Sequence, residues 1–352
     1  MHLKIELLFQ EVTILKLKKE FEQFYKDIRI DGEQNTLIQK RKVLVDEIED
    51  KLPEIMSQHD IKLNKSDIRT IDQGSYKYNT TIRSEVVDRD VAVIIPLDTD
   101  ENPDPRKIKG YLRDSIDITV RIVQIKEPCV RAAYHKDGEE YLHIDLPLYA
   151  QDGDDIYLAR GKEYGTYSWE PADPDGLNED LCEKINGNAQ LRRVICYLKK
   201  WKNVHYANAV SDHEVPPSIG LTYLACDCFV PQTSDDGDDD LLSLQKTIQN
   251  MCNCFSISTD NYGDITSANI SRKLTVKPHT DIFKKMNESS SYVITFYKRL
   301  RTAKNNLLNA LNVESEHDAA EYVVKVLGTE FDVPPKPAAN NTTQSNREHS
   351  FG

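Results

Sequence analysis

No run of apolar residues in this chain approaches the roughly 20 needed to span a bilayer, so a membrane-spanning helix is not expected. Met1, His2, Leu3, Lys4, Ile5 and Glu6 lack the charged-then-apolar layout of a signal peptide, and the expectation is a cytoplasmic protein. Basic charge is in deficit: 45 Lys and Arg face 58 Asp and Glu, a net charge of −13. Proteins that grip long nucleic acids do so with a basic face, because phosphate neutralisation supplies most of the affinity. A long template is therefore not expected, and small nucleotides arriving with magnesium suit the charge better. The seven cysteines are an odd number without an export signal, so free thiols are expected. Two close pairs, Cys226 with Cys228 and Cys252 with Cys254, have the count for a four-thiolate zinc site. Cys226 and Cys228, however, fall in a stretch that reads as helix, where residues two apart do not face each other. They are read as small buried apolar side chains.

What is present begins with two helical patterns, over residues 7–28 and 35–56. A polar, glycine-containing stretch follows at residues 70–80, then a β-branched strand over residues 86–96. A helical stretch is expected to about residue 122. Residues 140–149 read as a second strand, in which Leu142, Ile144, Leu146 and Leu148 alternate with Tyr141, His143, Asp145 and Pro147. From Leu181 onward the chain reads as mainly helical, with Leu191, Val194, Ile195, Leu198 and Trp201 forming one stripe. Pro216 and Pro217 open another helix at Ser218. Residues 231–240 read as a mobile acidic loop. Helices resume at residues 289–311 and 319–327, and residues 333–352 read as a disordered tail.

The chemistry rests on carboxylates. On a strand, residues two apart share a face, so Asp88 and Asp90 project together while Arg89 points away. Adjacent carboxylates repel unless a cation neutralises them. Asp145 occupies the mixed face of the second strand. If the strands are neighbours, three hard oxygen ligands converge, a set suited to Mg²⁺ (or Mn²⁺) carried with substrate phosphates. Upstream, Gly74 lets backbone amides approach phosphate and Ser75 adds a hydroxyl. Asp-x-Asp alone is weak, and Gly-Ser alone is a common turn. The order Gly-Ser, Asp-x-Asp, strand Asp is far more specific.

That order, in Gln73-Gly74-Ser75-Tyr76-Lys77-Tyr78-Asn79-Thr80 followed by Asp88-Arg89-Asp90, resembles the polymerase-beta-like nucleotidyltransferase superfamily. More narrowly it resembles the bacterial cyclic-oligonucleotide synthases (CD-NTases) of CBASS anti-phage signalling, relatives of DncV and of cyclic GMP-AMP synthase. Supporting likenesses are Tyr197-Leu198-Lys199-Lys200-Trp201-Lys202, Pro217-Ser218-Ile219-Gly220-Leu221, Asn269-Ile270-Ser271-Arg272-Lys273-Leu274 and Leu327-Gly328-Thr329-Glu330-Phe331. The resemblance implies an α+β fold with a mixed-sheet core and a C-terminal helical lobe, nucleotides lying in the cleft between them. It implies a core over residues 1–180 with bridging N-terminal helices, a helical lobe over 181–332 and a tail over 333–352. It implies Asp88, Asp90 and Asp145 as metal ligands, and Gly74, Ser75 and Lys199 as triphosphate contacts; Lys199 reads equally as a solvated lysine beside Lys200 and Lys202. Ser218, at a helix start, is a candidate anion contact or a plain cap. His143 shares the face of Asp145 and is read as supporting the carboxylates. Tyr76 and Trp169 are candidates for base stacking or for packing. A Cys/His zinc insertion like that of the animal DNA sensor is missing, which argues against activation by long DNA.

The implied reaction joins NTPs (ATP, with GTP or pyrimidine NTPs as further substrates), releases pyrophosphate and closes a cyclic di- or trinucleotide that reaches a downstream effector. Two other readings stay open: transfer to an RNA end or other acceptor, as in poly(A) or oligoadenylate synthesis, and a catalytically silent nucleotide-binding module. The ending Ser350-Phe351-Gly352 resembles that of relatives acted on by E1/E2-like conjugation enzymes, with Gly352 as the residue joined to an amine.

Overall fold

Two helices lead in, and each serves a different core. In α1 (Lys18–Ile28), Phe21, Phe24 and Ile28 recur at helical spacing and are buried. Phe21 and Phe24 pack on the rings of Tyr197 and Phe331, far away in sequence. In α2 (Gln34–Ser57), Leu37, Leu44, Ile48, Leu52 and Met56 face the sheet instead. The computed structural model describes residues 16–30, 34–83 and 86–336. The helical start expected over residues 7–15, and the part of the tail from residue 337 that includes Gly352, lie outside them. Among the described residues no helix is long and apolar enough to cross a membrane.

The sheet lobe continues with β1 (Arg69–Gln73), the single turn α3 (Gly74–Lys77), β2 (Val87–Pro96) and α4 (Pro105–Ile116). Asp104 caps α4 by accepting from the amide of Arg106. The helix expected to reach residue 122 ends at Ile116. Ile118, Thr119, Val120, Ile122 and Val123 are β-branched, and the chain turns into β3 (Ile122–Ile125) instead. There follow β4 (Val130–Lys136), β5 (Glu139–Leu146), β6 (Leu148–Asp152), β7 (Asp155–Gly161) and β8 (Tyr167–Ala172).

The strands form one mixed sheet in the order β3-β4-β5-β2-β6-β7-β8, with β1 antiparallel on β2. β2 is parallel to both β5 and β6. The single strand expected over residues 140–149 is thus split at Pro147, which has no amide to donate. Both pieces keep one register against β2, with Asp90 opposite Asp145 and Val93 opposite Leu148, and the Pro147 carbonyl still accepts from the amide of Val93. Val87, Val91, Val93 and Ile95 on one face of β2 join Leu142, Ile144, Leu146 and Leu148 in the core beneath α2 and α4. Asp88 and Asp90 lie on the other face.

The helical lobe comprises α5 (Pro174–Ile185), α6 (Ala189–His205), α7 (Ser218–Cys228), α8 (Asp240–Cys252), α9 (Ser290–Asn312) and α10 (Glu316–Leu327). The expected α6 stripe of Leu191, Val194, Ile195, Leu198 and Trp201 is wholly buried, in a core that also takes in α1. Two features differ from expectation. The acidic loop folds into the short pair β9 (Thr233–Ser234) and β10 (Gly237–Asp238), and Arg193 grips both Asp238 and the buried Asp240. A second hairpin, β11 (Phe255–Thr259) with β12 (Ile265–Ile270), interrupts the helices. Its alternation of apolar with small polar residues is a weak period of two, easily lost among serines.

Candidate active site

Register builds the acidic wall of the cleft. In the parallel β2–β5 pair, Asp88 stands opposite His143 and Asp90 opposite Asp145, so all four side chains share one face. Asp88, His143 and Asp145 each offer an atom within 4.8 Å of the others. His143 Nε2 lies 3.1 Å from Asp88 Oδ1, and its Nδ1 lies 2.7 Å from Glu140 Oε1. Burial opposes a charge on this ring, but the two carboxylates outweigh it and raise its pKa. Asp145 is held on both oxygens by the Arg131 guanidinium, at 2.7 and 2.8 Å, across the β4–β5 ladder. On the opposite face of β2, buried Arg89 pairs with Asp72 and lies over the ring of Tyr76.

Gly74 sets the distance between this wall and the turn before it. Its φ is +65°, and a Cβ there would sit 2.0 Å from Asp90 Oδ2. Only glycine lets the carboxylate lie against the turn. Burial, followed by the charges of Asp88 and Asp145, pushes the Asp90 carboxyl up to about 8. Asp88, His143 and Asp145 lie close enough together to hold a metal ion, and a divalent cation there would relieve the like charges of Asp88 and Asp145 beside Asp90.

The helical lobe supplies the basic wall. Lys199 is 7% exposed, and its ammonium donates to the Thr80 carbonyl at 2.9 Å and to Thr80 Oγ1 at 3.1 Å. Thr80 in turn donates its amide to the Ser75 carbonyl, so Lys199 braces the Gly74-Ser75 turn from behind. Burial lowers its pKa to about 8. Lys202, one helical turn on, donates to the Ser218 hydroxyl at the start of α7. A cavity of about 390 Å³ lies between the walls, lined by Gly74, Ser75, Asp88 and Asp90 on one side and Lys199, Lys202, Ser218 and Thr222 on the other.

Residues 68–149 match the family model described as "Cyclic GMP-AMP synthase DncV-like, nucleotidyltransferase domain", a stretch that contains Gly74, Ser75 and all three aspartates. The Vibrio cholerae DncV cyclic AMP-GMP synthase, solved with a linear intermediate, is similar in structure with a TM-score of 0.65 at 16% identity, over 89% of this chain and 96% of that one. The chain has the DncV fold. The Bradyrhizobium diazoefficiens CD-NTase CdnG, solved with GTP, is similar with a TM-score of 0.66 at 13% identity, over 88% and 94% of the two chains. No curated protein sequence matches the chain.

In this DncV-like frame, Gly74, Ser75, Asp88, Asp90, Lys199 and Ser218 line the cavity, and Asp145 and His143 stand beside Asp90 and Asp88 on the carboxylate wall. Tyr76 and Trp169 do not line it: Tyr76 packs under Arg89, and Trp169 donates to the Asn102 carbonyl at 2.8 Å. Arg131, Glu140, Thr80, Lys202 and the two cavity aromatics, Tyr78 and Tyr149, were not expected at the site. Strand register could have flagged Arg131, which alternates onto the carboxylate face. Nothing in the sequence announces that Lys199 meets Thr80.

Proposed function

We propose that this chain is a metal-dependent nucleotidyltransferase that joins NTPs with release of pyrophosphate and closes the product into a cyclic di- or trinucleotide. The observation that carries this reading is the in-register set of Asp88, Asp90 and Asp145 facing the Gly74-Ser75 turn across one cavity. The DncV-like match over the same residues, and the likeness to structures solved with a linear intermediate and with GTP, support it.

Asp88, Asp90 and Asp145 would hold Mg²⁺ or Mn²⁺, which when bound activates the attacking ribose hydroxyl and neutralises the leaving pyrophosphate. Arg131 fixes the Asp145 carboxylate, and Glu140 fixes His143 against Asp88. The Gly74 and Ser75 amides orient the triphosphate, braced by Lys199. Lys202 and Ser218 meet the phosphates from the other wall. ATP is the expected substrate, with GTP or pyrimidine NTPs beside it and a downstream effector that reads the cyclic product.

The function is tested by incubating the purified protein with each labelled NTP and Mg²⁺ or Mn²⁺. Phosphatase-resistant products, resolved by nuclease P1 and mass spectrometry, are expected. Chains attached to an RNA end would replace cyclisation with acceptor transfer. Nucleotide binding without pyrophosphate release would make the chain a silent binding module.

A further inference from the structure

The four cysteines of the two close pairs gather where α7 and α8 end. Cys226 and Cys228 lie in the last turn of α7, Cys252 closes α8, and Cys254 follows in the turn before β11. Among the described residues they form no metal-ligating group. One pair does meet: the Sγ atoms of Cys228 and Cys254 are 3.4 Å apart, and both are free thiols. A disulfide would need the sulfurs to close by about 1.4 Å, within reach of side-chain rotation at a turn residue such as Cys254.

We propose that Cys228 and Cys254 form a reversible dithiol–disulfide site, whose oxidant is a low-molecular-mass disulfide of the glutathione class. The pair is asymmetric in the sense this chemistry needs. Cys254 is exposed and Cys228 is buried, so a small disulfide reaches Cys254 first. The hydrogen bond from Cys228 holds the Cys254 thiol down at about 7, while that same bond and burial push Cys228 up. The Cys254 thiolate attacks one sulfur of the small disulfide, forming a mixed disulfide and releasing one small thiolate. Cys228 then gives up its proton and attacks Cys254 Sγ, expelling the second small thiolate. Two protein thiols are oxidised, and one small disulfide is reduced to two thiols.

The bond would tie the last turn of α7 to the turn between α8 and β11. Asp227, beside Cys228, already pairs with Arg272 just after β12, so this end of α7 is a junction of three segments. The other end of α7 carries Ser218 and Thr222 into the cavity. The site is therefore a covalent clamp on the helix that forms one cleft wall. It depends on neither nucleotide nor metal.

The test treats the protein with oxidised glutathione, alkylates the remaining thiols and maps the peptides by mass spectrometry. A Cys228–Cys254 bridged peptide is expected, lost on reduction with dithiothreitol and accompanied by a rise of several degrees in Tm. Cys254→Ser, at an exposed position, removes both the bridge and the oxidant-dependent shift, whereas Cys252→Ser keeps both. The proposal is overturned if Cys228 and Cys254 stay alkylatable after oxidation, or if Cys254 stops at the mixed disulfide. A bridge through Cys226 or Cys252, or stoichiometric zinc lost in Cys254→Ser, overturns it as well.

Discussion

The two walls of the cleft carry opposite charge and hold it by different means. On the sheet side, Asp88, Asp90 and Asp145 project from paired strands, and backbone register alone puts Asp90 beside Asp145. On the helical side, Lys199 and Lys202 project from one helix, but each is placed by a distant partner, Thr80 or Ser218. The acidic wall is fixed by periodicity and the basic wall by tertiary contact. Losing a carboxylate should therefore remove chemistry without disturbing the fold, whereas losing a lysine should disturb the geometry or the affinity.

The sharpest break of this contrast is the double substitution of Asp88 and Asp90 by Ala. Nucleotidyl transfer is expected to fall by about a thousand-fold or more, with the protein still folded and its Tm not lowered; substantial turnover removes the carboxylates from the mechanism. Next is Lys199→Met, set against Lys202→Met. Lys199 braces the Gly74-Ser75 turn, so its loss is expected to lower kcat by about a hundred-fold through misplacement of the triphosphate. Loss of Lys202 is expected to act mainly on the KM for NTP, by about tenfold. Equal effects in steady-state kinetics would erase the distinction between bracing and binding.

A smaller effect separates geometry from charge on the acidic wall. Arg131→Lys keeps the charge beside Asp145 and loses the two-pronged grip; a several-fold fall in kcat with unchanged KM is expected, and wild-type kinetics would show that charge alone suffices. A separate effect concerns stability rather than turnover. The Asp90 carboxyl titrates near 8 in the folded protein, well above its unfolded value. Folded protein therefore binds the extra proton, and metal-free stability falls as pH rises from the ordinary carboxylate range to about 8. Asp90→Asn removes that penalty. Its Tm advantage over wild type is expected to grow between pH 5 and pH 8 and then level off, and a pH-independent difference would contradict the assignment.

The same contrast explains what the sequence disclosed. Alternation along residues 86–96 and 140–149 placed three aspartates on strand faces, and the structure needed only to make those strands neighbours. Gly74 was legible as a phosphate-approach glycine, but its positive φ and its closeness to Asp90 came only with the folded turn. Arg131 lies on a strand that carried no motif, so its pairing with Asp145 became visible only with the β4–β5 register. Lys199 is separated by more than a hundred residues from Thr80, and its burial runs against the ordinary behaviour of a lysine flanked by other lysines. The β11–β12 hairpin was hidden by serines, and the acidic loop by the distance between Arg193 and Asp238 or Asp240.

The most direct measurement is a crystal structure with Mn²⁺ and a non-hydrolysable NTP, using anomalous scattering to locate the metal. Mn²⁺ is expected among Asp88, Asp90 and Asp145, with the triphosphate on the Gly74-Ser75 turn and Lys199 still bonded to Thr80. Mn²⁺ bound away from these carboxylates, or a triphosphate that leaves the turn untouched, would contradict this arrangement.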